Sequence, residues 1–302
     1  MTQATAQPRR HQATLALDAR ATLGECIRWD ERQKLIYWVD IPGRQLHRYD
    51  PATGRDDAMP LAQEMGCFAL AERGGFICGM RSGYARLDRF GGEFTSLASP
   101  DYDPARARFN DGRCDSAGRF WAGTMWEPRD RAGGIVYRLD ADGRFGAQCN
   151  PVIIANGITF APDGRSMTLA DTTNHVLWAF DYDLVTGIPS SRRELRSYEP
   201  ASGRPDGACV DAEGNVYVAI MAGGRVEKIS PTGELLALIE LPIPNITCCT
   251  FAGDDLRTLY ITTARTRMTD AELAAHQYAG GLFAWRLPDG DAPGIIEPRY
   301  AG

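Results

Sequence analysis

The sequence has no run approaching the ~18 to 20 uninterrupted apolar residues that a helix needs to cross a bilayer. Its first twenty residues, Met1 to Arg20, are polar and hold no apolar signal core, so the chain reads as cytoplasmic. Histidine is scarce, at four in 302 residues, and the 33 Lys+Arg are not clustered; against 39 Asp+Glu they leave a formal charge of −6. That balance offers no electrostatic footprint for a nucleic acid backbone or an anionic membrane, and neither is expected as a partner. CxxC pairs are absent. The eight cysteines sit mostly inside apolar runs and read as reduced core residues, with Cys248 and Cys249 pointing to opposite faces of a strand and so unsuited to one zinc site. GxSxG, a strand-borne GxGxxG, GxxxxGK[ST] and HExxH are all missing, which removes support for serine hydrolase, dinucleotide, P-loop and zincin chemistry. His11, His47, His175 and His276 are scattered and read as surface or turn residues.

Helical signals are nearly absent too. The exception is Met268 to His276, where Thr269 can cap a short helix with Glu272 three residues on. What is present instead is a repeat: a turn with Asp, Ala or Gly, an aromatic or β-branched run, and a second apolar run closing on another turn. Copies begin at Asp30, Ala71, Asp115, Ala161, Asp211 and Asp254, spaced 41, 44, 46, 50 and 43 residues apart. Each interval holds about four short strands, one propeller blade, and six copies use nearly the whole chain. The expectation is an all-β, six-bladed β-propeller forming one domain over residues 1–302, with residues 1–12 as a disordered tail and Ala13 to Leu17 completing the last blade.

Innermost blade strands run along the central channel, so equivalent positions stand at one height around the axis. Five residues before each turn stand Glu25, Gly66, Asn110, Asn156, Asp206 and Cys249. Glu25, Asn110, Asn156 and Asp206 should therefore converge. Two carboxylates facing each other in a narrow channel are costly to ionise, and a divalent ion with oxygen ligands is the simplest compensation. Hard ligands favour calcium, magnesium or manganese; zinc or iron(II) would need water to complete the shell. Asn-Asp-Gly, Asn-Gly and Pro-Asp-Gly are also turn formers, but their recurrence at one phase, with a glutamate at a phase where no turn needs one, points to a site. Arg108, two residues before Asn110, shares its face of the strand and can reach the same mouth. Glu127 in a following loop is a further candidate, as are Asp171 and Asn174 as supporting groups. Met65, Trp126, Met221 and Tyr278 are candidates for either wall or core.

The segments LGEC (23–26), RFNDGRCDSAGRFWAGTM (108–125), ANGITFAPDG (155–164), RPDGACVDAEGNVYVA (204–219) and CCTFAGDDLRTLYITTA (248–264) resemble the SMP-30/gluconolactonase/LRE-like (regucalcin-like) family, which includes bacterial sugar lactonases. The resemblance spans nearly the whole chain. It implies a six-bladed propeller with one divalent metal in the channel, held by Glu25, Asn156 and Asp206, with Arg108 and Asn110 binding substrate and Asn110 open to either role. After Gly-Thr-Met the chain carries Trp126-Glu127-Pro128 in place of consecutive glutamates, which leaves Glu127 as an uncertain substrate contact. After Glu25 it carries Cys26-Ile27 in place of the usual Gly-Pro, a change placed to reshape the mouth.

The activity so implied is hydrolysis of a sugar lactone to the open-chain aldonic acid, the metal polarising the carbonyl and activating water, with Asp206 as general base. A metal-dependent hydrolase of other esters or phosphotriesters, and a non-catalytic calcium-binding propeller, are the competing readings. The sugar, the metal and the oligomeric state are not specified by the sequence.

Overall fold

A computed structural model describes residues 7–149 and 151–302. The chain forms a six-bladed β-propeller, each blade an antiparallel sheet read from the axis outward in chain order. The six inner strands are Gly24–Asp30, Met65–Leu70, Ala107–Cys114, Ala155–Phe160, Arg204–Val210 and Ile246–Ala252, in blades 1 to 6. Each packs against the inner strands of both neighbouring blades, including blade 6 on blade 1. Their first residues define the upper end of the channel, and the turns that follow them define the lower end. Three of those turns are built by an aspartate that accepts backbone N–H bonds from residues two to four ahead: Asp30, Asp115 and Asp211.

The second strands, such as Leu35–Asp40 and Val216–Met221, are buried along almost their full length because blades face one another on both sides. Apolar residues on both faces of a strand are what that environment requires. The core is accordingly divided between blades rather than collected in one centre. Trp29, Ile36 and Trp38 of blade 1 pack on Cys248, Ala252 and Leu282 of blade 6; Leu177 of blade 4 packs on Val218 and Ile220 of blade 5. Outermost strands such as Arg55–Pro60 alternate in exposure and carry charges along the free edge, which discourages pairing with another sheet.

Thr14–Leu17 pairs antiparallel with Leu282–Arg286 and supplies the outer strand of blade 6, as expected. The expected tail through residue 12 is corrected in part. Arg9–Gln12 is a strand, parallel to the outer strand of blade 5, with Arg10 and Gln12 donating to Glu240 at 2.5 and 2.9 Å. Arg-Arg-His-Gln has no apolar alternation because an edge strand pairs through its backbone and polar side chains. Residues 1–6, the rest of the expected tail, lie outside the described residues. At the other terminus, the segment after Arg286 crosses the lower end of the propeller, with bridges Asp211–Gly294 and Ala71–Tyr300.

The eight cysteines are free thiols, seven of them buried. Thr269 caps the helix Asp270–Ala275 in a capping box with Glu272. Histidine differs from expectation at His47, which is buried, stacked on Trp38 at 3.7 Å and bonded to Asp56 at 2.7 Å. His11 lies in the N-terminal strand against Trp285, while His175 sits in a turn and His276 at the helix end.

Candidate active site

All six inner strands are interrupted by a β-bulge near their upper end. The register shifts fall between Glu25 and Arg28, Met65 and Cys67, Phe109 and Asp111, Asn156 and Thr159, Pro205 and Ala208, and Ile246 and Cys248. A bulge re-aims side chains out of the pleat, here at the phase the repeat marks. In blade 6 the hairpin loop, residues 253–257, begins six residues after the bulged position where blades 2 to 5 have five, and Asp254 is its second residue. Thr247 therefore occupies the ring position, its hydroxyl donating to the Gly24 carbonyl at 2.5 Å. Cys249, placed there by counting from the turn, lies between blades with its sulfur 3.6 Å from that of Cys209. Blade 2 contributes only Gly66, because a Cβ there would stand 1.9 Å from the Phe109 carbonyl oxygen.

Glu25, Asn110, Asn156 and Asp206 line one solvent-open cavity at the upper end, together with Arg108. All five are buried. A directed hydrogen-bond chain crosses three blades. Arg108 donates to the Asn110 side-chain oxygen (2.9 Å), Asn110 to the Asn156 oxygen (2.9 Å), Asn156 to the Thr172 hydroxyl (2.8 Å), and Thr172 to the Pro205 carbonyl (2.8 Å), one residue from Asp206. This order fixes both amides with nitrogen away from and oxygen toward the preceding donor, and leaves Asn156 Oδ1 with a free lone pair.

The carboxylates are treated differently. Glu25 accepts only the adjacent Cys26 N–H, at 3.3 Å, and Asp206 Oδ1 is buried without a partner. Burial, then the Asp206 and Asp111 charges, push the Glu25 pKa well above the carboxylate range. Burial and Asp111 do the same to Asp206. Asp111, which accepts from the Gly112 and Ile158 N–H groups, was not singled out in the sequence because Asn110 beside it carried the phase. Two under-satisfied carboxylates and an amide oxygen are the donors here that could hold a hard divalent cation. Among the described residues no cluster of three or more His, Cys, Asp or Glu side chains is positioned to do so.

Glu127 does not line the cavity. It is held by two hydrogen bonds from Arg81, at 2.8 and 3.0 Å, which lower its pKa. Arg81 also binds Glu64, and the Arg108 guanidinium stands 3.8 and 3.9 Å from the two glutamates. Asp171 and Asn174 brace rather than face the site: Asp171 accepts the Ile153 and Ile154 N–H groups and the Asn174 amide. Asp40 holds Thr22 and Leu23 in the same way ahead of Glu25. Of the four candidate wall residues, Met221 lines the cavity; Met65, Trp126 and Tyr278 do not. Neither Cys26 nor Ile27 lines the cavity; both are buried, Cys26 at φ +48° with its sulfur against the Phe68 backbone.

The cavity residues that escaped the sequence reading include three arginines: Arg129, Arg204 and Arg267. Arg204 carried a readable signal, since it precedes Asp206 by two residues just as Arg108 precedes Asn110. A larger cavity, about 230 Å³, lies at the lower end under Ile295–Pro298, but its walls are mainly apolar and it is remote from these carboxylates.

A sequence profile described as the SMP-30/Gluconolactonase/LRE-like region matches residues 23–265. The chain is 44% identical over 283 residues to 6-deoxy-6-sulfogluconolactonase of Pseudomonas putida, covering 93% of this chain and 96% of that one. It is 35% identical over 270 residues to regucalcin of Gallus gallus, covering 87% and 90%. Among solved structures, a calcium-binding protein, regucalcin, from Agrobacterium tumefaciens superposes with TM-score 0.92 at 26% identity, covering 98% and 100%. The chain belongs to the SMP-30/gluconolactonase/LRE-like family.

Proposed function

We propose that this protein is a metal-dependent lactonase that opens a sugar lactone to its aldonic acid. The observation that carries the reading is the pairing of two buried, under-satisfied carboxylates, Glu25 and Asp206, with an ordered Arg108–Asn110–Asn156 donor chain in a single open cavity. The 44% identical relative, named as a lactonase, supports the reaction class. The regucalcin structure, titled as a calcium-binding protein, supports a divalent cation.

The donor set fits such an ion: Asp206 Oδ1 has no other partner, and all donors are hard oxygens. Glu25, Asn156 and Asp206 would hold it, and when bound it would polarise the lactone carbonyl and acidify water. Asp206 accepts the proton of the attacking water as its oxygen bonds to the carbonyl carbon. The ring C–O bond then breaks, and the proton passes to the leaving ring oxygen. Arg108 keeps N–H groups for substrate oxygens while Asn110 fixes its orientation, so the ester is presented rather than captured at random. Asn110 stands in this scheme as a substrate contact, with its oxygen turned to Arg108.

The test is proton release on fresh five- and six-membered aldonolactones, corrected for spontaneous opening, with protein as purified, after EDTA, and after adding back calcium, magnesium, manganese, zinc or iron(II). Turnover lost to EDTA and restored by one ion is the expected result. Metal binding without turnover on lactones, aryl esters or phosphotriesters would mark a binding propeller instead.

A further inference from the structure

The rim of the upper cavity carries three arginines, and only Glu127, toward Arg129, and Asp206, toward Arg204, offset their charge from a distance. Arg129 lies in the loop after the second strand of blade 3, Arg204 opens the inner strand of blade 5, and Arg267 lies in the loop after the second strand of blade 6; all three line the cavity that holds Glu25 and Asp206. Among the described residues, none of their side chains makes an ion pair or a hydrogen bond to a protein group. Several half-buried or buried arginines elsewhere are paired: Arg81 with Glu64 and Glu127, Arg113 with Glu297, Arg119 with Asp115, Arg225 with Glu227, Arg299 with Asp30 and Glu31. The acidic groups within reach of the rim are already committed. Glu127 belongs to Arg81, and Asp206 belongs to the reaction centre below.

Loose surface arginines would spread into solvent. These three converge from separate blades on one opening, with Arg108 beneath them. Burial and the proximity of Arg267, Arg204 and Arg108 lower the pKa of Arg129, the mark of a positive cluster lacking its counter-ion. A cation on Glu25 and Asp206 would make the cavity more positive still. Guanidinium groups are poor company for one another and good partners for oxyanions, which they bind through planar N–H pairs. A planar carboxylate is served by one such fork. Three guanidinium groups arriving from three directions suit the three oxygens of a tetrahedral anion.

We propose that the substrate of this site is an anionic sugar lactone, carrying a sulfonate or phosphate on its exocyclic carbon, and that Arg129, Arg204 and Arg267 select it. The proposal rests on the lactonase reading for the reaction and on the arginine rim for the charge. The ester is engaged at the floor by Arg108 and Asp206, and the anion at the rim. The neutral sugar lactone fits the same floor and leaves the three arginines without a partner.

The test compares kcat/KM of the metal-loaded enzyme for glucono-1,5-lactone and for its 6-phospho and 6-deoxy-6-sulfo counterparts, in wild type and in Arg129→Gln/Arg267→Gln. Charge-assisted hydrogen bonds from the rim to the anion should give a preference for the anionic lactones of at least about 100-fold. In the double variant the ratio of anionic to neutral kcat/KM should fall by about tenfold or more. Raising ionic strength should erode the anionic rate more than the neutral one. The ranking of the phospho and sulfo lactones tells which anion the rim is shaped for. Neutral lactone turned over as well as either anionic one, with a ratio unmoved in the variant, would overturn the inference and leave the lactonase reading standing. If no lactone is turned over, the reaction reading fails, and calorimetry decides the rim separately. Tighter binding of 6-phosphogluconate than gluconate, lost in the double variant, upholds it, and equal binding overturns it.

Discussion

The two ends of the channel both draw carboxylates out of solvent and satisfy them in opposite ways. At the lower end Glu297, from the C-terminal segment, is gripped by Arg113, stands 3.2 Å from Arg28 Nε, and accepts from Thr250 at 3.1 Å. Arg28 and Arg113 spend their remaining N–H groups on the carbonyls of Ile27, Gly112, Ile158 and Ala208. Burial raises the Glu297 pKa, but the two guanidinium groups outweigh it and hold the carboxyl below its ordinary value. At the upper end Glu25 and Asp206 are more deeply buried and have no cationic grip, and both shift upward. One channel thus carries a closed structural lock and an open reactive pair, told apart by whether each charge has a partner.

That contrast can be broken from either side. The largest expected effect is Asp206→Ala, which should lower kcat by about 10³-fold or more while circular dichroism and cooperative melting show an intact propeller. Full activity would sink the assignment of Asp206. Next comes Glu297→Ala, which strands two buried guanidinium groups and should cost about 3–5 kcal/mol in denaturant unfolding, with the specific activity of the folded fraction little changed. A loss confined to activity would show the lower end to be more than a lock.

The companion Glu297→Gln sharpens the difference through pH. A carboxylate with a depressed folded pKa stabilises the fold fully above its ordinary pKa of about 4.3, and that contribution fades as pH falls through the depressed value. The stability gap between wild type and Glu297→Gln should be widest near neutrality and close in acid. The smallest effect is Asp206→Asn. In EDTA it should raise Tm, by about 2–4 °C for each kcal/mol of relieved repulsion. No rise, or a fall, would mean that Asp206 is better satisfied in the metal-free protein than its unpartnered oxygen indicates.

The sequence disclosed the ring because six copies of one turn-and-strand pattern repeat, and it disclosed the floor of the site because the bulged position recurs at constant distance from the turn. Glu25, Asn110, Asn156 and Asp206 could be aligned by counting. Counting failed where spacing changes: in blade 6 the loop starts one residue later and Asp254 is its second residue, so the ring position falls at Thr247 and not at Cys249. The rim was hidden for a different reason. Arg129 and Arg267 come from loops of unequal length, at φ +58° and +61°, and no periodicity reports where a loop residue ends up. Glu297 was invisible because its arginine partners, Arg28 and Arg113, are more than 180 residues away in sequence. The strand Arg9–Gln12 was missed because edge pairing by backbone leaves no apolar signature.

The N-terminal segment has a consequence for the order of events in synthesis. Thr14 meets Ala284, 270 positions away, and the strand beside it fastens to blade 5, so one short segment latches the last two blades to the first. Closing so long a loop adds little to its equilibrium cost but slows its formation. Glu25 stands in the first blade and Asp206 in the fifth, and they are held to one another by that closure. A nascent or truncated chain therefore possesses the individual blades before it possesses the proposed catalytic centre, and activity should arrive all at once, when the ring shuts.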